Sequence, residues 1–490
     1  MKFVIRLFPE ITIKSKPVRQ RLARQLRQNI SEVLKREYGK ISVQGFWDKI
    51  EVLVPDEKPE LGRRVAQTLQ RIPGISNILR VQKYTIENMN EGFEEISELT
   101  NRVMLNEIKD KKFVVRIKRV GKHHTFTSSE LERYVGGGLL EHGQSLGVNL
   151  RNPDITIRLE VRDSELYIIE ERYEGLGGYP IGTQDDVLSL ISGGFDSTVS
   201  SYLTMKRGLK THFCFFNLGG SAHEIGVKQV SLYLWEQYGA SHRVKFVSVP
   251  FEDVTAEILK TVHHSQMGVV LKRMMLRAAA EVADSLQIQA LVMGDSVAQV
   301  SSQTLTNMCV IDAVVETLVL RPLITMDKQD IIRISAQIGT EDFAKNMPEY
   351  CGVISDKPTT CAKKERILEE ETKFDFSILE KALYDRRTIK IDQVMETIQT
   401  ITDVELVSVP KVDDVIIDIR HPDELEKSPL MLTNNKIQTI AFYELMSKVD
   451  KLDLGQNYLL YCEKGTMSQL HASHLKGMGY NNIAVYSPNA

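Results

Sequence analysis

The sequence predicts an α/β protein of several domains built around a parallel β-sheet, and three observations predict it. At 490 residues the chain is too long to be served by one hydrophobic core. Short strands and helices mix through its first third, whereas from about residue 185 strands and helices alternate, the order a parallel sheet requires. Gly175, Gly177 and Gly178 fall between the two regimes and mark a boundary near residue 175.

Taken in order, a strand over residues 2–7 precedes a helix over 17–38, where Leu22, Leu26, Ile30, Val33 and Leu34 keep helical spacing. Arg19, Arg21, Arg24, Arg27 and Lys35 occupy the other face of that helix. Strands follow at 49–54, 113–119, 155–161 and 166–171, and the run Gly136–Gly138 reads as punctuation between elements. In the central region strands at 187–191, 211–216, 244–249 and 290–293 alternate with helices at about 198–206, 225–238 and 269–285. A charged helical stretch over about 363–401 leads to a small alternating unit. That unit has strands at 415–419, 458–461 and 483–485 and helices near 437–449 and 468–478.

Composition excludes several classes. A chain 42% hydrophobic and 26% charged is ordinary globular material, and no apolar run approaches the roughly 18 residues of a membrane span. Five scattered cysteines argue against a secreted disulfide framework and for a reducing, cytoplasmic setting. The net charge of −3 hides an asymmetry: residues 1–49 carry twelve Lys/Arg against four Asp/Glu, while residues 365–427 carry nine against seventeen. A second basic stretch contains Lys111, Lys112, Arg116 and Lys118. A charge run is often only a solvated face. Two of them on the same side of the chain favour a polyanion held through its phosphates, with Arg19, Arg24 and Arg27 as further contacts.

The strongest local signal is Leu190-Ile191-Ser192-Gly193-Gly194-Phe195-Asp196-Ser197, a buried strand running into a Gly-rich turn that opens a helix. Two glycines let the backbone approach an anion, and unpaired N–H groups at the helix start point toward it. Ser192 and Ser197 add hydroxyl donors, and Asp196 is a carboxylate suited to holding Mg²⁺ against phosphates. The order differs from a Walker A loop, which needs Gly-Lys-Ser/Thr after four spacer residues. It resembles the pyrophosphate-binding loop of the PP-loop ATP pyrophosphatases, which split ATP between its α and β phosphates and adenylate a carbonyl oxygen.

Cys462 lies in Tyr461-Cys462-Glu463-Lys464-Gly465-Thr466-Met467-Ser468, after a strand and before a helix. Backbone N–H groups and the positive end of the helix favour a thiolate there, able to carry sulfane sulfur as a persulfide. With Asp418-Ile419-Arg420-His421-Pro422-Asp423-Glu424-Leu425 upstream, this unit resembles a rhodanese domain. Met467 stands where many rhodaneses have Arg, which points to a protein persulfide from a cysteine desulfurase rather than to thiosulfate. Cys351, in Pro348-Glu349-Tyr350-Cys351-Gly352, is a candidate resolving thiol, and Cys361 in a polar loop is the alternative. Cys214, in a strand, and Cys309, in an apolar run, are expected in the core.

The combination resembles the tRNA uridine 4-sulfurtransferases of the ThiI type, in their longer form with a rhodanese tail, over essentially the whole chain. Leu271-Lys272-Arg273-Met274-Met275, Met293-Gly294-Asp295-Ser296 with Gln299 and Gln303, and Arg321-Pro322-Leu323 through Asp327-Lys328 also match that family. The resemblance implies a ferredoxin-like domain at 1–60 and a THUMP RNA-binding domain at 61–165. It implies a doubly wound PP-loop domain at 175–400 and a rhodanese domain at 404–490. It places ATP against Leu190, Ile191, Ser192, Gly193, Gly194, Ser197, Lys272, Gly294 and Gln303, and gives Asp196 and Lys328 roles in adenylation. The implied reaction adenylates O4 of the uridine at tRNA position eight, with ATP and Mg²⁺, and replaces it with sulfur from Cys462. Sulfur passes directly or as sulfide, and a Cys351–Cys462 disulfide forms. The implied partners are tRNA, a cysteine desulfurase, the sulfur-carrier protein of thiamine's thiazole synthesis and a second copy in a homodimer; no membrane is expected. An amide-forming synthetase, a tRNA-thiolating enzyme acting at C2 of an anticodon uridine and a non-catalytic sulfur carrier compete. None accounts for the basic N-terminal third, the tail and the intact loop together.

Overall fold

Three β-sheets organise the chain. The computed structural model describes residues 1–490 except 47–48, 56–58, 122–123, 219–220, 346, 348–356, 395–403, 421–424, 426–428, 432–433, 441–444, 446–447, 454, 463–465 and 489–490. Two units divide it: Met1–Gln184 with the short returns Met205–Leu209 and Gln237–His242, and the remainder.

The first unit is an eight-stranded sheet with helices on one face. Its elements run β1 (Lys2–Leu7), α1 (Lys16–Tyr38), β2 (Ser42–Gly45), β3 (Lys49–Leu53), α2 (Pro59–Gln70), β4 (Ile75–Thr85), α3 (Phe93–Met104), β5 (Lys112–Val120), α4 (Ser128–His142), β6 (Gly147–Val148), β7 (Ile155–Arg162) and β8 (Glu165–Glu174). The strand order is β2-β3-β1-β4-β8-β7-β5-β6. Strand parity decides the faces. Phe3, Ile5 and Leu7 of β1 pack with Leu22, Leu26 and Ile30 of α1, while Phe113, Val115 and Ile117 of β5 pack with Leu131, Val135 and Leu139 of α4. Val4, Leu79, Val81 and Tyr167 form a small apolar strip on the opposite face. The Gly136–Gly138 run, expected to separate elements, lies inside α4. A Cβ at Gly138 would collide with Ser97 Oγ of α3, so the missing side chain is what lets these helices pack closely. A capping box between Thr127 and Glu130 starts α4 regardless of its glycines.

The second unit begins with β9 (Asp186–Leu190), α5 (Phe195–Lys206), β10 (Lys210–Asn217), α6 (Ser221–Leu234), β11 (Lys245–Pro250), α7 (Glu252–Thr261), α8 (Met267–Ser285), β12 (Ala290–Val292), α9 (Leu305–Asp312), β13 (Leu318–Leu320) and α10 (Lys328–Gln337). Then come α11 (Lys364–Glu371), α12 (Phe376–Tyr384) and β14 (Arg387–Lys390). The sheet order is β13-β12-β9-β10-β11-β14, parallel except for the β11–β14 pair. Residues 387–390 were expected to be helical. They instead pair antiparallel with β11, because the edge of β11 presents unpaired backbone groups that outweigh local propensity.

The last sheet holds β15 (Leu406–Val407), β16 (Val415–Asp418), β17 (Ile437–Thr439), β18 (Tyr458–Tyr461), α13 (Thr466–Gly477) and β19 (Ile483–Tyr486), in the parallel order β15-β19-β18-β16-β17. A helix was expected to begin at Ile437. The structure makes Ile437–Thr439 a strand beside β16, its apolar residue packed into the sheet's own cluster.

A buried ion pair ties α8 to α11 in the central domain. Arg273 is 2% exposed and donates from Nε at 2.6 Å and Nη2 at 2.9 Å to the two oxygens of Glu371. Glu371→Ala strands that guanidinium and is expected to destabilise the domain by about 3 kcal/mol or more. Replacing both partners with Met and Leu is expected to restore most of the loss. Denaturant unfolding of the two variants checks this.

Candidate active site and basic groove

The strand order reverses beside β9. Strands β10 and β11 extend to one side of it, and β12 and β13 to the other. Loops leaving the carboxyl ends of β9 and β12 therefore diverge and open a crevice, the usual ligand site of such a sheet. The turn Ser192–Ser197 leaves β9. Gly193 takes φ +84°, and Ser197 Oγ accepts from the Ser192 N–H at 3.1 Å while donating to the Gly194 carbonyl at 3.2 Å. These bonds hold the turn open, so the first N–H groups of α5 are left for an anion. His223 is buried beside the turn with Nε2 at 3.1 Å from the Ser192 carbonyl; burial lowers its pKa, partly offset by that contact.

Asp196 stands in the first turn of α5. Lys328, first residue of α10, places Nζ 2.8 and 3.0 Å from its two oxygens and 5.4 Å from the centre of the Phe195 ring. Gln299 donates to the same carboxylate at 2.8 Å. Gly294, just past β12, faces this helix start; a Cβ there would lie 2.7 Å from the Asp196 carbonyl carbon. Asp295 follows and is 4% exposed. It accepts from Lys272 at 2.8 Å, Gln303 at 3.1 Å and Arg321 Nε at 3.1 Å. Burial pushes the Asp295 pKa up, but Lys272, Arg321 and Gln303 outweigh it and hold the carboxyl below its ordinary value. Arg321 is saturated in turn by Asp312 at 2.7 and 2.8 Å. Residues 190–197, 272, 294, 303 and 328 thus converge on one crevice, and Asp295, Gln299 and Arg321 join them without having been assigned a role by sequence. Strand-end position was the available signal for Asp295 and Arg321.

In the last sheet the order reverses again, between β16 and β18. Cys462 follows β18. Its sulfur accepts from the Ser468 N–H at 3.3 Å and lies 3.4 Å from Ser468 Oγ. Asp418, at the end of β16, pairs with Arg420 at 2.6 Å, and that guanidinium lies 5.1 Å from the centre of the Tyr461 ring. Helix α13 also carries His471, whose Nε2 is 3.2 Å from Gln229 Nε2 of α6.

In the first unit, the open sheet face carries a groove of about 400 Å³ lined by Arg6, Arg116, Lys118, Arg158 and Arg172, with Glu132 and Glu160. Lys111 and Lys112 are exposed at the start of β5. Arg24 and Arg27 are exposed and Arg19 half-buried on α1, which packs on the opposite face. The two sets of basic residues therefore do not line one surface. Arg6, Arg158 and Arg172 join the groove set; their strand parity, shared with Arg116 and Lys118, was the signal.

Comparison with known proteins agrees with this division. The ThiI ferredoxin-like domain profile matches residues 2–78, the THUMP domain 90–169, the Thiamine biosynthesis protein (ThiI) profile 182–376 and the rhodanese-like domain 405–487. A tRNA sulfurtransferase of Shewanella piezotolerans is 52% identical over 489 residues, covering all of both chains, and one of Marinobacter nauticus is 52% identical over 488, again covering all of both. The chain belongs to the ThiI family of tRNA sulfurtransferases. Among solved structures, a 4-thiouridine synthetase in complex with RNA and bound ATP shares the fold at a TM-score of 0.70 and 24% identity, covering 80% of this chain and 99% of that one.

The described cysteines divide by environment. Cys214 is fully buried in β10 and burial pushes its thiol up to about 12. Cys309 was expected in the core, but its side of α9 faces solvent while Met308 and Val310 turn inward. Cys361 is exposed. Cys351, and with it any pairing to Cys462, lies outside the described residues. Met347 is described: its thioether end fills the space above Gly193 and Gly226. Among these thiols, a maleimide is expected to label Cys309 and Cys361 rapidly in the native protein, with Cys214 unlabelled until denaturant is added. Peptide mass spectrometry after timed quenching reads this out.

Proposed function

We propose that this chain adenylates O4 of the uridine at position eight of tRNA and replaces that oxygen with sulfur delivered from Cys462. The observation that carries the reading is the Asp196–Lys328 pair in the first turn after the Gly-rich loop, where a triphosphate's charge would meet both groups. In the first step O4 attacks the α-phosphorus of ATP, the α–β anhydride bond breaks, pyrophosphate leaves and N3 gives up its proton. The N–H groups of the turn and Lys272 hold the phosphates, and Lys328 faces the charge developing on the leaving group. Mg²⁺ fits here: Asp196 supplies one carboxylate, and this ion commonly takes one or two carboxylates with the phosphates of its nucleotide. Bound there, it neutralises phosphate charge.

In the second step the terminal sulfur of a Cys462 persulfide attacks C4 and AMP leaves with the C–O electron pair. The Cys351 thiolate then attacks Cys462 Sγ, the S–S bond to the substrate sulfur breaks, and 4-thiouridine and a Cys351–Cys462 disulfide remain. A thiol reductant reopens that disulfide with two electrons, and a cysteine desulfurase reloads Cys462. The same persulfide would serve a sulfur-carrier protein for thiazole synthesis, and tRNA would be gripped by the basic unit of one chain in a homodimer.

A reconstitution of unmodified tRNA, Mg-ATP, cysteine, a desulfurase and the full chain tests this, with nucleosides read by mass spectrometry. Cys462→Ala is expected to lose 4-thiouridine but keep pyrophosphate release, and Asp196→Ala to lose both. ATP cleavage that needs a small amide donor instead of tRNA would overturn the reading. For tRNA binding, reversing Arg116 and Arg158 to Glu is expected to weaken affinity by roughly tenfold or more and to flatten its salt dependence by about one unit of slope per lost phosphate contact. Reversing Arg24 and Arg27 measures the share carried by the other face.

A further inference from the structure

The segment from Asp295 to Gln303 carries two side-chain sets of the same design. Asp196 holds Lys328 and the amide nitrogen of Gln299; Asp295 holds Lys272 and the amide nitrogen of Gln303. Each aspartate is thus paired with one lysine and one glutamine, and both glutamines come from this one segment. A carboxylate accepts only from the NH₂ end of an amide, so each aspartate fixes which way its glutamine is turned. The carbonyl oxygens, Gln299 Oε1 and Gln303 Oε1, are buried and have no hydrogen-bond partner among the described residues. A buried acceptor left open is unfavourable unless something else supplies a donor. Phosphate oxygens carry none at neutral pH, so the donors come from the ribose, the base or water.

The backbone of the segment is held as firmly as its side chains. Ala298 takes φ +64°, a left-handed conformation that a Cβ disfavours. Its N–H donates to the Gln303 carbonyl at 3.0 Å, closing the segment on itself. The Val297 N–H donates to the Ile324 carbonyl at 3.1 Å, and Ser296 Oγ to the Met326 carbonyl at 2.8 Å. These bonds fix both glutamines relative to the loop that ends at Lys328. Strain that is over-determined in this way, at a ligand crevice, belongs to positioning.

We propose that this strap is the positioning element of the adenylation site, with Asp295 setting Lys272 and Gln303 for the nucleotide and Gln299 setting Asp196 for the transfer step. It rests on the adenylation reading above. Arg321 completes the arrangement by holding the second oxygen of Asp295, which leaves the first to Lys272 and Gln303. Two functions are separated along one segment: Asp295 governs how tightly ATP is held, Gln299 how fast AMP is transferred.

The test uses the full chain and two readouts, the dissociation constant of α,β-methylene-ATP and the rate of tRNA-dependent pyrophosphate release at saturating ATP. Asp295→Asn is expected to raise the dissociation constant roughly tenfold or more while changing the saturated rate far less; Gln299→Leu is expected to do the reverse. The melting temperature of Gln299→Leu should stay near that of the unchanged protein. Combining Asp295→Asn with Lys272→Met should weaken binding by less than the product of the two single effects, because the aspartate acts in part through the lysine. Effects that multiply in the double variant, or single variants that move both readouts equally together with the melting temperature, would overturn the proposal. Gln299 is half-exposed, so Gln299→Leu decides its arm even if Asp295→Asn fails to fold. If the unchanged protein binds the analogue but releases no pyrophosphate with tRNA, the adenylation reading fails along with the Gln299 arm. The dissociation constants still decide the Asp295 arm.

Discussion

The reversal of strand order beside β9 is the constraint on which the chemistry depends. Once β10 and β11 extend one way and β12 the other, no crossover helix can cover the gap between the loops that leave β9 and β12. The crevice is a consequence of topology, present before any functional side chain is chosen. What the sequence adds is fit: a glycine at 294 because the Asp196 backbone approaches too closely for a Cβ, and a left-handed glycine at 193 where the chain must turn into α5. The C-terminal sheet repeats the solution. Its reversal between β16 and β18 puts the Asp418–Arg420 pair and Cys462 at neighbouring strand ends. One topological device thus supplies a Gly-rich turn at a helix start in one domain and a helix-capped sulfur in the other.

A crevice built from charged groups must be stable before its ligand arrives. Asp295 shows how. Buried alone, a carboxylate would take up a proton; with Lys272, Arg321 and Gln303 around it the ionised form is favoured instead. Asp312 balances Arg321, so two acids and two bases close on themselves. Lysines held in this way are already oriented when a triphosphate binds, and little reorganisation remains for the reaction itself. The Arg273–Glu371 pair beneath follows the same rule at a site with no chemistry, where its work is to lock α8, the helix carrying Lys272, against α11.

Much of this was legible in sequence because it is local. Residues 2–7, 458–461 and the strand that ends in the Gly-rich turn announce themselves by short apolar runs, and the turn itself by residue order. What was not legible is set by partners distant in the chain. Ile437–Thr439 and Arg387–Lys390 are strands only because β16 and β11 offer edges to pair with. The glycines of α4 looked like a break because the role of Gly138, admitting Ser97 of α3, is tertiary. Cys309 sits in an apolar run, yet the helical period puts Leu305 and Cys309, one turn apart, on the outward face. The roles of Asp295 and Gln299 follow from hydrogen bonds to residues 23 and 103 positions away, which no spacing rule within the segment reveals.

Charge counting fails in an instructive way. Summed along the chain, the basic residues of α1 and of β5 look like one polyanion surface. Sidedness separates them: α1 packs its apolar stripe on the face of the sheet that Phe3, Ile5, Phe113 and Val115 share, which sends its arginines outward on that side, while Arg116 and Lys118 emerge from the other. The information was present in strand parity, since Arg116, Lys118, Arg158 and Glu160 alternate with apolar residues. A sheet whose helices all lie on one side leaves the other free to carry charge in a concave groove. There Glu132 pairs with Arg116 and Glu160 with Arg6, and five basic side chains against two acids leave the groove positive. A phosphate backbone that enters such a groove meets positive charge already fixed by neighbouring acids, and the ordering entropy of long side chains is spent in folding rather than in binding.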